Sequence, residues 1–163
     1  MATTYESIAT QTLGSAAPSI TFSSIPATYT DLRVVLVGST TDGAFLRIQL
    51  NGDTASNYST TEIRGNGATA TSDYSASTRF NVNGASTIIG NIFIISSDLF
   101  SYTGSTFKTC LNTFSNDANG SGEVNRRVGL YRSTSAITSL LLSVSTGNYA
   151  IGTTATLYGI KAA

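Results

Sequence analysis

The chain opens with three short apolar runs whose residues alternate in character, and this alternation constrains the fold more than any other feature. In the second run Leu32, Val34 and Leu36 share one face, and the third run, residues 45–50, repeats the pattern. Successive side chains leave a strand in opposite directions, so a period of two indicates strands that are packed on one side. The pattern predicts a β-sheet protein.

Turn residues separate these runs and recur along the chain. Pro26 has no amide hydrogen to donate to a sheet, and the Asn-Gly-Asp sequence at residues 51–53 tolerates a positive φ at low cost. Further runs bring the expected total to about ten strands. These runs lie at residues 60–64, 79–82, 87–95, 105–114, 123–132, 137–144 and 153–160. The turn at residues 146–148 (Thr-Gly-Asn) predicts a hairpin between the last two runs.

About ten short antiparallel strands require two stacked sheets, because one open sheet would leave an apolar face in water. The sequence therefore predicts an all-β fold, namely a two-sheet antiparallel β-sandwich of jelly-roll type. We expect residues 1–163 to form a single domain, with residues 1–17 as an N-terminal arm or edge strand. The Ser, Thr, Asn and Gly of residues 65–77 predict a long polar loop, and residues 97–102 allow one helical turn.

The charge content of the chain is low and balanced. Charged residues make up 11% of the sequence, and nine basic and nine acidic residues give a net charge of zero. Binding to nucleic acids depends on clustered Lys and Arg, so no nucleic-acid partner is expected. Arg126 and Arg127 form the one adjacent basic pair, which either lies on an exposed strand face or contacts a partner protein. A neutral surface also favours association between protein molecules.

The residues used by most enzymes and metal sites are missing. The sequence has no histidine, and Cys110 is its only cysteine. This excludes Ser-His-Asp and Cys-His catalysis, the HExxH zinc motif, thiolate clusters and an intrachain disulfide. A glycosidase needs two facing carboxylates, and no such pair is evident in the sequence. We therefore expect no enzymatic activity, no cofactor and no metal, and we expect Cys110 to be a small buried hydrophobic residue.

Two groups of residues leave alternatives open. Asn51, Asp53 and Asn57 could supply oxygen ligands to calcium, or they could belong to an ordinary Asn-Gly turn. Tyrosines in polar stretches could stack on sugars or fill partner pockets, or they could cap the ends of the sandwich. These tyrosines are Tyr58, Tyr74 and Tyr102.

Four stretches of the chain resemble, in order, the pattern of one family. They read TYESIATQTLGS, SITFSSIPATYTDLRVVL, LRIQLNGDTASNYS and AITSLLLSVSTGNYAIGTTATLYGIK. The family consists of small β-sandwich proteins and modules encoded in the structural-gene regions of tailed bacteriophages. The matching residues are Ser23, Ile25, Pro26, Tyr29, Asp31, Leu32, Asn51, Gly52, Asp53, Asn57, Tyr58, Ser59, Leu157, Tyr158, Gly159 and Ile160. The stretch from about residue 65 to residue 103 carries little of the pattern.

The resemblance implies a virion structural protein. A stand-alone chain of this size without coiled-coil heptads looks most like a capsid decoration (cement) protein, which binds the outer shell and stabilises contacts between major capsid subunits. It implies the major capsid protein as partner, a homotrimer and no membrane. The sequence shows no leader and no apolar stretch of membrane-spanning length, so we expect synthesis in the host cytoplasm and a final location on the capsid exterior.

Two other functions stay open at this point. One is a tail, baseplate or fibre-associated adhesin that contacts host-surface glycans through residues 65–77. The other is a carbohydrate-active enzyme on a jelly-roll scaffold, which would need two facing carboxylates. For a structural role, the residues that we expect to contact a partner are Tyr5, Glu6, Ile8, Tyr58, Tyr74, Arg126 and Arg127.

Overall fold

The computed structural model describes residues 4–87 and 89–161, and these residues form twelve β-strands and no helix. The strands are β1 (Tyr5–Thr12), β2 (Ser19–Phe22), β3 (Asp31–Gly38), β4 (Leu46–Leu50), β5 (Tyr58–Gly65), β6 (Ala70–Ser77), β7 (Phe80–Asn81), β8 (Phe93–Phe100), β9 (Lys108–Asn116), β10 (Glu123–Tyr131), β11 (Leu140–Val144) and β12 (Thr154–Ile160). The described part of the chain contains no helix able to cross a membrane.

The strands form two antiparallel sheets, so the predicted β-sandwich is confirmed. The large sheet has eight strands in the order β1-β12-β3-β8-β9-β10-β5-β6, and the small sheet has four in the order β2-β11-β4-β7. The pairs β1–β12, β2–β11, β3–β8 and β4–β7 are nested in the sequence and alternate between the sheets. This nesting is the jelly-roll topology, in which a long hairpin folds over itself to make two sheets.

Two hairpins are inserted into the jelly roll and widen only one of its sheets. β5–β6 lies between β4 and β7 in the sequence, and β9–β10 lies between β8 and β11. β5 pairs with β10, so both hairpins extend the large sheet beyond β8. The small sheet ends at β7, whose Phe80 packs so close to β10 that a Cβ on Gly129 would lie 2.6 Å from its ring. The outermost hairpin therefore has no complete second sheet beneath it.

The predicted alternation holds in the core. Leu32, Val34 and Leu36 are fully buried between the sheets, as are Leu46 and Ile48 of the small sheet. The buried apolar residues of both sheets form one cluster. Each buried aliphatic side chain of this size contributes about 1.5–3 kcal/mol to folding, so this cluster accounts for the stability of the sandwich. Cys110 is buried as expected, and burial raises the pKa of its thiol to about 12.

The N-terminal segment is an edge strand, as one of the two expectations had it. β1 pairs with β12 at the rim of the large sheet, with a bulge between Ser7 and Ala9. Ile8, the bulged residue, packs against the core. Residues 1–3 of the expected arm lie outside the described residues, as do Ile88 of the run at 87–95 and residues 162 and 163.

Several sequence expectations about local structure are wrong. Residues 65–77 form the end of β5, a short turn and the second strand of a hairpin instead of a long loop. Asn66 Oδ1 accepts hydrogen bonds from the amides of Ala68 and Thr69 and closes this turn. The helical turn expected at residues 97–102 is the end of β8 and the turn after it. The run at 87–95 becomes a strand only at Phe93, and the total is twelve strands instead of about ten.

The turn at residues 146–148 does not close a hairpin. β11 pairs with β2 and β4 in the small sheet, whereas β12 pairs with β1 and β3 in the large sheet. The connection between them therefore crosses from one sheet to the other. Local turn residues cannot distinguish this crossing from a hairpin, because both reverse the chain direction.

Candidate interaction surface

The large sheet exposes an apolar outer face. Along each of its inner strands, one set of alternate residues enters the core and the other set points away from the small sheet. Several members of the second set are large and apolar. We call these residues the outer face, and they are Val37, Ile63, Tyr74, Ile94, Phe100, Val124 and Val128.

These side chains are strongly exposed. Ile63 is 69% exposed, Val124 58% and Val128 53%. In the ladder Ile63 lies opposite Arg126, and Val128 lies opposite both Thr61 and Leu111, so the apolar groups are neighbours. A shallow depression of about 460 Å³ follows this part of the face. Monomeric proteins seldom expose large apolar patches, so this cluster of exposed apolar side chains is a candidate contact surface.

A pair of charged side chains, Arg33 and Asp98, lies on the outer face at the central strands β3 and β8. The Arg33 guanidinium donates two hydrogen bonds to the Asp98 carboxylate, from Nε at 2.6 Å and from Nη2 at 2.9 Å. The Tyr5 ring lies over the same guanidinium, 5.5 Å from it. The hydrogen bonds to Asp98 raise the pKa of Arg33. Because Arg33 is paired with Asp98, Arg126 is the exposed arginine among the apolar side chains of the outer face.

On the inner face of the large sheet, the neighbouring strands β5 and β10 carry polar side chains that are buried. The Glu62 carboxylate forms an ion pair with Arg127, and its Oε2 also accepts a hydrogen bond of 2.8 Å from the Asn125 amide. Arg127 donates further hydrogen bonds to the carbonyls of Asn81 and Asn83, at 3.1 and 3.0 Å. Burial lowers the pKa of the Arg127 guanidinium, and the Glu62 carboxylate opposes that shift. The hydrogen bonds of Arg127 to these carbonyls thus tie the rim of the small sheet to β10, and the ion pair joins β10 to β5.

A polar recess of about 140 Å³ opens beside this ion pair. Glu62 and Asp73 lie directly opposite each other in the β5–β6 ladder, and both line the recess. The fold therefore supplies a pair of facing carboxylates that the sequence did not reveal. Glu62 Oε2 is already engaged by Arg127 and Asn125, which leaves Asp73 as the more available carboxylate.

The structure separates the residues that we expected to contact a partner. Tyr5 is exposed on β1 at one edge of the large sheet, whereas Tyr74 lies on β6 at the other edge. Seven strand spacings, or roughly 34 Å, lie between these rims. Glu6 accepts hydrogen bonds from Lys161 at 2.8 Å and Tyr29 at 3.2 Å, and the Lys161 bond lowers the pKa of its carboxyl. Ile8 faces the core and offers little surface.

Tyr58 and Arg127 are buried, so the expectation that they present surface to a partner is wrong. The Tyr58 hydroxyl donates to the Leu50 carbonyl and accepts from the Leu50 amide, both at 3.1 Å. Its ring stacks on Tyr131 with centroids 4.7 Å apart. Both side chains point inward because their strand positions share the phase of the core. Tyr102 is also buried.

Tyr74 and Arg126 are exposed and lie on the outer face, so the fold brings these two expected contact residues into one region. The apolar members Ile63, Ile94 and Phe100 were missed. For Ile94 and Phe100 a signal was present, because β8 carries apolar residues in both phases of the alternation. Such a pattern is typical of a strand covered on two sides.

The oxygen-rich segment at residues 51–57 is an ordinary turn. Asn51 and Gly52 adopt φ angles of 53° and 65°. The Asp53 carboxylate accepts hydrogen bonds from the Asn57 amide at 2.8 Å and the Tyr131 hydroxyl at 2.9 Å. Asn51 Oδ1 accepts from backbone amides of the 138–139 segment. Within residues 4–87 and 89–161, no three His, Cys, Asp or Glu side chains are placed to share a metal ion.

Comparison with known proteins yields distant structural neighbours. No family model and no curated protein matches the chain. Among solved structures, the chain is similar to the galectin LEC-6 of Caenorhabditis elegans, with a TM-score of 0.39 and 11% identity over 91% of this chain and 94% of that one. An aerolysin-like protein of Bombina maxima gives a TM-score of 0.15 and 8% identity over 88% of this chain and 93% of that one. Similarities this low carry no argument about function.

Proposed function

We propose that the chain is a structural protein of a tailed-bacteriophage virion, and that it acts as a capsid decoration protein on the outside of the shell. The observation that supports this most is the outer face of the large sheet. It is a broad, rigid and apolar surface on a protein of zero net charge, and it suits contact with another protein. The sequence resemblance supplies the virion context.

The outer face has the composition of an interface. It combines exposed apolar and aromatic side chains with Arg126 and with the Arg33–Asp98 pair, which lies on the central strands of the sheet. Aromatic and arginine side chains contribute most of the binding energy of protein interfaces. We place the major capsid protein against this face.

Stabilisation of the shell follows from mass action. A ligand that binds only the assembled capsid stabilises the assembled state in proportion to its occupancy. Many copies on a symmetric lattice add their effects, so a modest affinity per copy is sufficient. The protein needs no catalytic group for this role.

The test uses virions of the phage whose structural-gene region encodes the chain. We expect mass spectrometry of purified particles to detect the protein, and cryo-electron microscopy to show its sandwich outside the shell with the large sheet facing the capsid subunits. Particles assembled without it should disrupt at a lower temperature, and added protein should reverse the change. Absence from the particle, or density on the tail alone, would contradict the proposal.

A second candidate is supported by the polar recess beside β6. The recess offers the Asp73 carboxylate, polar side chains of Asn81 and Ser75, and a volume near that of one sugar ring. This suits a tail-associated adhesin that binds host-surface glycans. Binding to a glycan array that is lost in Asp73→Asn would favour this function, whereas decoration predicts no glycan binding. Multiple turnovers on a polysaccharide would contradict both.

A further inference from the structure

The two rims of the large sheet differ in how well they are protected against pairing with another strand. The β1 rim has a bulge at Ile8, a charged pair between Glu6 and Lys161, and contacts with the core. β6 pairs regularly with β5 over all eight of its residues and contains no proline, lysine or arginine. Natural sheets use bulges and charges to block their edges. The one charged residue of β6 is Asp73, whose carboxylate accepts a hydrogen bond of 2.7 Å from the Tyr74 amide, so β6 is less protected than the β1 rim.

The hydrogen-bonding direction of β6 follows from the turn that joins it to β5. The Asn66 amide donates to the Thr69 carbonyl at 3.2 Å in the register of the ladder, so the backbone groups of Thr69 point toward β5. Directions alternate along an antiparallel strand, which means that Ser72, Tyr74 and Ala76 all direct their backbone groups to the open edge. These residues are small apart from Tyr74, so a second strand can approach closely.

If the partner is a second copy, the two registers that pair most of β6 have their axis near the middle of the strand, at Asp73 or at Tyr74. Directly opposite residues must point to the same side of the sheet, so the two-fold axis passes through a residue. An axis at Asp73 would place two carboxylates opposite each other, which is destabilising. An axis at Tyr74 places the two tyrosines together, Asp73 opposite Ser75, and Ser72 opposite Ala76. The second register offers about six backbone hydrogen bonds between the chains and no repulsive pair.

We propose that β6 pairs with β6 of a second copy around a two-fold axis at Tyr74, which joins two large sheets into one continuous sheet. The pairing is self-complementary, as a two-fold interface requires. It brings the two outer faces side by side, where Ile63 and Val128 of each copy form one wider apolar surface. We therefore favour a dimer over the trimer that the resemblance implies, and the pairing is independent of the proposed function.

Sedimentation equilibrium of the purified chain tests the pairing without any virion. We expect twice the chain mass of 16.9 kDa for the wild type. Tyr74→Pro removes an amide that faces the open edge but removes no hydrogen bond to β5, so the variant should fold. Its dimer should dissociate with a constant roughly a hundredfold higher than that of the wild type. Thr10→Pro, on the opposite rim, is the control for a proline at an edge and should leave the dimer intact if it folds.

Paired charges test the register. Ser72→Lys with Ala76→Lys places like charges opposite each other across the axis and should give a monomer. Ser72→Lys with Ala76→Glu places opposite charges there and should restore the dimer. A wild-type monomer or trimer would overturn the proposal, as would a dimer that both lysine substitutions leave unchanged. Circular dichroism of each variant separates a lost dimer from a lost fold.

Discussion

Arg126 and Arg127 are neighbours in the sequence but face opposite sides of the large sheet. Arg127 lies on the inner face, 6% exposed, and is bonded to Glu62 and to two backbone carbonyls. Arg126 lies on the outer face beside Ile63, and its contact within the chain is a long hydrogen bond of 3.5 Å to Thr113. The same strand thus buries a charge on one side and exposes apolar groups on the other.

This difference between the two faces separates the side chains that folding requires from the side chains that are available to bind a partner. Buried charges cost several kcal/mol unless they are paired, so the inner cluster has to be complete for the hairpins to stay on the sandwich. The outer side chains contribute little to folding, because they are exposed in both the folded and unfolded states. Substitutions on the two faces should therefore separate stability from binding.

The largest effect is expected from Arg127→Ala. The substitution leaves the Glu62 carboxylate buried without its cation, and the carbonyls of Asn81 and Asn83 without donors. We expect the free energy of unfolding to fall by about 3–5 kcal/mol in urea titrations followed by circular dichroism. Arg126→Ala is the matched control and should change it by less than about 0.5 kcal/mol. Equal losses in both variants would refute the distinction between the faces.

Tyr58→Phe should have the next largest effect. The change removes a buried hydroxyl that both donates to and accepts from the Leu50 backbone. The Leu50 carbonyl keeps its hydrogen bond from the Asp53 amide, but the buried Leu50 amide loses its acceptor, which should lower the free energy of unfolding by about 1–3 kcal/mol. Tyr74→Phe, at an exposed position, is the control and should have no measurable effect on unfolding at protein concentrations where the chain is monomeric.

A smaller effect is expected in acid from Asp53→Asn. Hydrogen bonds from the Asn57 side chain, the Ala55 amide and the Tyr131 hydroxyl lower the pKa of Asp53 below its ordinary value of 3.8. The folded state therefore favours the carboxylate, and its contribution to stability is complete above pH 3.8 and is lost as pH falls through the lower folded value. We expect the urea midpoint of Asp53→Asn to depend less on pH below about 4 than that of the wild type. A wild-type pH dependence in Asp53→Asn would contradict this assignment.

The parts of the fold that could be predicted are those in which one face of a strand meets the core. The buried phase of β3 and β4 was legible because the small sheet covers one face and excludes polar residues from it. β6 could not be predicted as a strand, because no complete second sheet covers its inner face and both of its faces carry mostly polar side chains. A period-two pattern carries information only where burial enforces it.

The candidate surface was less predictable for a related reason. Tyr74 and Arg126 were found because aromatic and charged residues stand out in a polar sequence. Ile63 and Ile94 were missed, because an apolar residue in a strand is assigned to the core by default. Only the pairing of β8 with β9, of β9 with β10 and of β10 with β5 shows that these residues share an exposed face.

The outer face is tested most directly by Ile63→Thr combined with Val128→Thr, measured as binding to virions assembled without the protein. Threonine retains the β-branched shape and removes apolar surface, so we expect the unfolding midpoint to stay near wild type and binding to be lost. Ile151→Thr is the matched control, because Ile151 is 70% exposed, against 69% for Ile63, but lies in the turn before β12. Loss of binding in the outer-face variant with retention in the control is the predicted result. Wild-type binding by the outer-face variant would contradict the account.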